Sequence, residues 1–346
     1  MAVTDSIEAP AQPSTRKRVG ATLADVARVA AVSSATVSRA LNTPDLLTKD
    51  TLARVHRAIA ETGYIPNLSV GPVMTNRSRL IGMLLPPVNL GIFDETIRGL
   101  VGTLDGAGYQ ALFGIYSRDA TREQLVTQIL SRRPSGLILI GLPVLPNIRE
   151  LLLEAALPIV ETWEIPREPL DMVCGVSHAD LGMAMGQYVL RKGWRRPFLL
   201  SMSNVQAAAR RYGISRVLME SGLAEPPFLN ADRFDMVSEG RRIIAEVLAG
   251  GGERPDVILC ASDWLALGAM IELHAQGIKV PADCAVIGNG DVEFAASLVP
   301  ALTTFRVDGR KMGVQAGEMM LQALSGKRPK RRIVDLGFEL IERESS

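Results

Sequence analysis

Arg39 is the residue whose setting points most directly to chemistry. It lies in SSATVSRALN, residues 33 to 42. On a helix capped by Ser33, Val37, Ala40 and Leu41 share one face, leaving Ser34, Ala35, Ser38 and Arg39 on the other. A guanidinium presented there can bond guanine O6 and N7 as a bidentate pair, at roughly 1–3 kcal/mol of discrimination between bases. Equipment for covalent or metal chemistry is missing by contrast. His56, His178 and His274 fall at no metal-ligand spacing, while Cys174, Cys260 and Cys284 sit singly in apolar runs and read as reduced core residues. No G-x-G-x-x-G follows the first core strand, and the sequence has no G-x-x-x-x-G-K-[ST] and no G-x-S-x-G. No enzyme, cofactor or metal is therefore expected.

The elements that must position Arg39 are short helices. Thr22 with Asp25 is a capping-box start, and Leu23, Val26, Ala27 and Ala30 follow at i, i+3, i+4 and i+7. A third helix is predicted from Thr48 to Thr62 on Leu52, Val55 and Ile59, stopped by Gly63. Three helices with a short turn between the first two make a helix-turn-helix. The whole chain has 38 basic and 37 acidic residues, a net +1, yet residues 16 to 66 hold eight basic against four acidic. Positive charge is thus concentrated at this end, as a nucleic-acid partner requires.

Residues 1–19 read as a flexible tail, 20–66 as the helical domain and 67–79 as a hinge linker holding Gly71 and Pro72. From 80 to 346, strand-like runs (80 to 85, 110 to 116, 136 to 142, 158 to 161, 197 to 201, 256 to 260, 284 to 289) alternate with amphipathic stretches. Repeated βα units of apolar strands imply parallel sheets covered on both faces. Their number predicts an α/β core of two Rossmann-like lobes with a ligand cleft between them. The N-terminus lacks a continuous apolar signal segment, and the apolar stretch 134 to 148 is broken by three prolines and too short to span a bilayer. A cytoplasmic, nucleoid-associated protein with no membrane partner is expected.

The string TLADVARVAAVSSATVSRALN (22 to 42), followed by GYIPN (63 to 67), resembles the DNA-binding head of LacI/GalR-type bacterial transcriptional regulators. The resemblance continues through LIGMLLP (80 to 86), Arg210-x-x-Gly213, CASDWLALG (260 to 268), GIKVPADCAVIGN (277 to 289) and PALTTFRVD (300 to 308), covering residues 20 to 340. GYIPN, PIVETW (158 to 163) and DLGFEL (335 to 340) look most like the gluconate-operon repressors.

For the head, the resemblance implies that α-helical Ser34, Ala35 and Arg39 meet base edges in double-stranded operator DNA, while Thr22, Ser33, Thr36 and Asn42 hold phosphates. Ala31 stands where many such turns have glycine, so a slightly different turn is expected. Val73 takes the place of the leucine that wedges into the minor groove from a hinge helix. With Gly71 and Pro72 beside it, a short or poorly formed hinge helix and a weaker wedge are expected.

For the core, the resemblance implies a small-molecule effector between the lobes. Carried over by position, the effector residues are Arg210, Ser262, Asp263, Asn289 and Asp291, with Phe93, Trp163 and Trp264 as apolar faces. Glu161 and Arg211 stand between the site and an ion pair, and His178 between ligand contact and a structural hydrogen bond. Arg210 would hold a carboxylate while Asp263 and Asp291 accept from hydroxyls. Family members often have Asn-Asp at 262–263 and an acidic residue at 290; Gly290 here favours an anionic sugar acid over a neutral sugar, with a nucleoside or purine as a further alternative. The expected mechanism is a homodimeric repressor on a pseudo-palindromic operator, released by effector. A corepressor, an activator, an exported solute-binding protein and a sugar-acid enzyme are the alternatives. The absence of leucine heptads after DLGFEL favours dimer over tetramer.

Overall fold

The computed structural model describes residues 21–65, 78–86, 90–116, 121–142, 144–232 and 235–346. The expected tail, the basic residues Arg16, Lys17 and Arg18, and the hinge with Gly71, Pro72 and Val73 lie outside the described residues. Contacts divide the chain into two compact units, one ending at Ser78 and one running Arg79–Ser346.

The first unit contains α1 (Leu23–Ala30), α2 (Ser34–Asn42) and α3 (Lys49–Thr62), with a 3₁₀ turn at Pro44–Leu46. Thr22 and Asp25 form the capping box reciprocally, and Ser33 and Thr48 cap α2 and α3. Val26, Ala27, Ala30, Val37, Ala40, Val55 and Ala58 make the small core, with Leu23, Leu41, Leu52 and Ile59 packed at its edge. Four of these seven residues are alanines, whose small side chains let the three helices pack closely. The turn after α1 corrects one expectation. Ala31 itself adopts the left-handed conformation (φ 51°, ψ 48°) and caps α1, so alanine takes the conformation that glycine would take more cheaply.

The second unit has two lobes. The N-lobe is built first, from β1 (Leu80–Leu85), α4 (Asp94–Gly106), β2 (Gln110–Ile115), α5 (Arg122–Ser131), β3 (Gly136–Ile140), α6 (Pro146–Glu154), β4 (Ile159–Thr162) and β5 (Met172–Gly175). The C-lobe follows as α7 (His178–Lys192), β6 (Pro197–Met202), α8 (Val205–Glu220), β7 (Phe228–Ala231), α9 (Met236–Ala249), β8 (Val257–Cys260), α10 (Asp263–Ala275), β9 (Ala285–Asn289) and β10 (Thr303–Arg306). The chain then returns as α11 (Gly309–Leu324) and β11 (Ile333–Asp335) and crosses once more to β12 (Glu339–Ile341). The sheets run β11-β5-β4-β3-β1-β2 and β12-β10-β9-β8-β6-β7. Every pairing is parallel except that of β12 with β10. Central strands such as β1, β3 and β8 are buried nearly throughout, which is why they read as unbroken apolar runs.

Glycine pairs set the closest helix contacts. A Cβ on Gly213 of α8 would collide with the Ala179 carbonyl, and one on Gly182 of α7 with the Arg210 carbonyl. Gly99 with Gly313 does the same for α4 and α11, and Gly240 with Gly268 for α9 and α10. The Gly213 of the Arg210-x-x-Gly213 signature therefore lets α8 lie directly on α7, one turn from Arg210.

Candidate DNA-reading helix and effector cleft

Ser34, Ala35 and Arg39 are exposed on α2, on the face opposite Val37 and Ala40. No described carboxylate pairs with Arg39. The hydroxyls around this helix are already engaged. Thr22 Oγ1 donates to Asp25 Oδ2 at 2.7 Å and accepts from the Asp25 N–H, while Ser33 Oγ accepts from the Thr36 N–H at 3.1 Å and lies 2.9 Å from Thr36 Oγ1. The Thr22 bonds, with Arg28, hold the Asp25 carboxyl well below the usual carboxylate range. Thr22, Ser33 and Thr36 thus shape helix starts. Asn42 ends α2.

In the core, a cavity of about 650 Å³ lies between the C-terminal ends of the two sets of parallel strands. Gly141 and Leu142 after β3 and Trp163 after β4 form one wall. Met202 to Asn204 after β6, Asp232 after β7, Ala261 to Trp264 after β8 and Asn289 with Gly290 after β9 form the other.

Arg210 is a buried cation, 7% exposed and bordering this cavity. Its Nη2 donates to the Ala261 carbonyl at 3.2 Å and its Nη1 lies 3.0 Å from His178 Nδ1. Since arginine only donates, Nδ1 accepts; His178 is then the neutral Nε2–H tautomer, donating to the Trp163 carbonyl at 2.9 Å. Burial, with the neighbouring cation, lowers His178 to about 3, and burial lowers Arg210 to about 10. Among the described residues no carboxylate balances Arg210.

Asn289 Nδ2 donates to the Ala261 carbonyl at 3.4 Å, leaving its buried Oδ1 without a described partner, as are the indole N–H groups of Trp163 and Trp264. Phe93 packs edge-on against Trp163 at 5.2 Å. Ser262 caps α10 by accepting from the Leu265 N–H. Trp163 sits at φ 74°, a costly conformation for an aromatic residue, which directs its carbonyl to His178.

Two of the expected effector residues, Glu161 and Asp291, lie outside the cavity wall, while Asp263 lines it with its oxygens engaged. Glu161 is absent from the cavity wall: at the strand position opposite in sense to Val160 and Thr162, it is buried and accepts from the Leu170 N–H at 2.7 Å, tying down the segment before β5. Asp291 also points away, bonded to Arg343 at 2.7 Å and paired with Arg306 at 3.5 Å. Asp263 borders the cavity, but its oxygens already accept from Thr304 Oγ1 at 2.7 Å and the Val292 N–H at 2.9 Å. Burial pushes its pKa up to about 6. It latches the loop after β9, where Gly290 at φ 136° takes a conformation open to glycine. Arg211 stacks on Phe228 at 3.9 Å instead of lining the cleft.

The sequence reading missed other lining groups. Asn204 caps α8 through a 2.8 Å bond from the Ala207 N–H, and Ser203 Oγ donates to Asp232 Oδ1 at 2.7 Å. Gln206 crosses the cleft, donating to Glu164 Oε2 at 3.2 Å and the Gly141 carbonyl at 3.4 Å. Arg122 brings a second guanidinium from the N-lobe. The Ser-Asn pair directly after an apolar strand was the available signal for the first of these.

No group of three or more metal-ligating side chains and no helix long and apolar enough to cross a membrane occurs among the described residues. Residues 22–67 match the model of the bacterial regulatory proteins, lacI family, and residues 187–346 that of the periplasmic binding protein-like domain. The chain is 29% identical to the HTH-type transcriptional regulator GntR of Pseudomonas aeruginosa over 94% of its length and 95% of the relative. It is similar to the crystal structure of a LacI-family transcriptional regulator from Silicibacter pomeroyi (TM-score 0.86, 27% identity, 94% and 99% of the two chains). It is also similar to that of the transcription regulator GntR from Chromobacterium violaceum (TM-score 0.72, 31% identity, 77% and 99%). These relatives are regulators and not enzymes; with its helix-turn-helix head and two-lobed periplasmic-binding-like core, the chain belongs to the LacI family of DNA-binding transcriptional regulators.

Proposed function

We propose that the protein is a cytoplasmic homodimeric repressor whose cleft takes a sugar acid of the gluconate class, and that this ligand releases it from a pseudo-palindromic operator. Arg210 is the observation that carries the carboxylate. A buried cation whose described partners are a neutral imidazole and a carbonyl is costly to keep, and an entering carboxylate supplies the missing counter-charge. Asn289 Oδ1, Ser203 and Asp232 serve hydroxyls, and Phe93, Trp163 and Trp264 cover carbons. Asn204, Gln206 and Ser262 complete the polar wall.

The domain division follows the chemistry: residues 20–66 read DNA, 67–79 transmit and 80–346 sense. In the head, Arg39 reads guanine while Ser34 and Ala35, being small, make methyl or water contacts. The engaged hydroxyls of Thr22, Ser33 and Thr36, with Asn42, fix register on phosphates, and Val73 probes the minor groove. Ligand shifts the lobe arrangement, and by linkage operator DNA weakens ligand affinity by the same factor.

The test is fluorescence anisotropy of a duplex selected by the protein from random DNA, titrated with gluconate, related acids, neutral sugars and purines. Release by an acid, lost in Arg210→Gln, supports the reading. Tighter DNA binding with the acid makes the ligand a corepressor, and indifference to every acid removes it. The three aromatic faces favour one second reading, a flat purine-type ligand, which the same titration distinguishes.

A further inference from the structure

Because all six N-lobe strands are parallel, the segments that precede them meet at one pole, opposite the cleft. That pole holds Arg79 before β1, Arg132 and Arg133 before β3, and the run Lys327, Arg328, Lys330, Arg331 and Arg332 between α11 and β11. Its acidic residues are Asp105, Glu154 and Asp171. Eight basic against three acidic residues is a local +5, in a chain of net +1 whose head segment 16–66 carries +4; the remainder is therefore −8. The head segment and this pole are thus both positive against a net negative remainder.

We propose that this pole is a second DNA-contacting surface, gripping phosphates of duplex that flanks the sequence read by α2. The partner follows from charge and connectivity. Lys327, Arg328, Lys330 and Arg331 are exposed, and no described carboxylate pairs with them; only Arg332 of the run is engaged, by Asp171 at 2.6 Å. The chain from the DNA-binding head enters the core at this same pole, at Arg79. The fourteen residues 66–79 reach at most about 50 Å, so any duplex the head holds is tethered near it. A polyanion held at that range meets clustered cations whose fields add instead of cancelling. Base identity plays no part in such contacts, so they raise affinity and salt dependence without altering specificity. The inference needs DNA binding only and is independent of the effector.

The experiment replaces Lys327, Arg328, Lys330 and Arg331 by Gln in the full chain, leaving Arg332 on Asp171. Binding is measured across a salt series on the duplex selected by the protein, extended on both sides by several helical turns, and on the same duplex trimmed to the two half-sites that a pair of heads covers. The expected result on the long duplex is affinity weakened about tenfold or more and a log–log salt slope flatter by about two to four. On the trimmed duplex the variant is expected to match the unaltered protein, with unchanged tryptophan fluorescence. A second variant that exchanges Lys for Arg and Arg for Lys at these positions retains tight binding, because only charge is used. Unaltered affinity and slope on the long duplex overturn the proposal, whether or not the patch then binds an acidic protein. Equal loss on both duplexes also overturns it.

Discussion

The two walls of the cleft differ in kind. The C-lobe wall holds the deep guanidinium of Arg210, the amides of Asn204 and Asn289 and the Ser203–Asp232 pair, while the N-lobe wall is mostly Phe93, Leu142, Leu145 and Trp163. On the proposed reading the C-lobe identifies the ligand by charge and hydrogen bonds, and the N-lobe, Arg122 aside, covers it and excludes water. The walls already touch through His178 on the Trp163 carbonyl, Gln206 on Glu164, and Trp264 lying against Gly91. A ligand that binds the C-lobe wall therefore adds to, or competes with, bonds that fix the lobe arrangement. This is the differential contact a switch requires.

Arg210→Gln is the strongest way to test that division. It removes the charged contact, so affinity for a sugar acid falls about 100-fold or more, read by calorimetry, while the fold is retained. Gly213→Ala against Gly313→Ala comes next. Each overpacks a glycine crossing and costs about 1–3 kcal/mol in denaturant unfolding. Gly213→Ala also displaces Arg210 and weakens the ligand, whereas Gly313→Ala, in the N-lobe crossing, leaves ligand affinity unchanged. Equal loss of affinity in both would erase the distinction between the lobes.

The pH dependence sharpens the contact between them. His178 is held to about 3 from an ordinary 6.5, so between these values the unfolded chain binds more protons than the native one. The resulting stability is full above 6.5 and is lost as pH falls toward 3. Asp263, raised to about 6 from 3.8, acts oppositely: its contribution is present below 3.8 and lost as pH rises through 6. Between pH 7 and 5 the denaturation midpoint of His178→Gln is expected to fall less than that of the unaltered chain. A smaller change is expected from Gln206→Ala, which deletes a covering contact and lowers ligand affinity about two- to fivefold. Smallest is Ala31→Gly in the head, which relieves a left-handed alanine and raises head stability by about 1 kcal/mol in thermal unfolding, with no effect on the cleft.

Much of the fold was legible because its signals are local. The Thr22 capping box, the Ser33 and Thr48 caps and the Gly63 stop depend on residues within one turn of each other, and β1, β3 and β8 announce burial on both faces as continuous apolar runs. Short or partly exposed strands such as β5, β7, β10, β11 and β12 lack that signal. In the site, Arg210, Trp163 and Asn289 were placed at the cleft by position. The orientation of a carboxylate was not legible, since it depends on distant partners: Thr304 takes Asp263, Arg343 takes Asp291, and the Leu170 N–H takes Glu161. Residue type told which chemistry was available, and only the tertiary contacts told which groups were already occupied.

The most direct test of the central claim, that the cleft holds an anion on Arg210, is calorimetric titration of gluconate and glucose into the full chain and its Arg210→Gln variant. The acid is expected to bind the unaltered protein, the neutral sugar not to compete, and the variant to lose the acid. Gluconate bound as tightly by the variant, or glucose preferred by the unaltered protein, would contradict it.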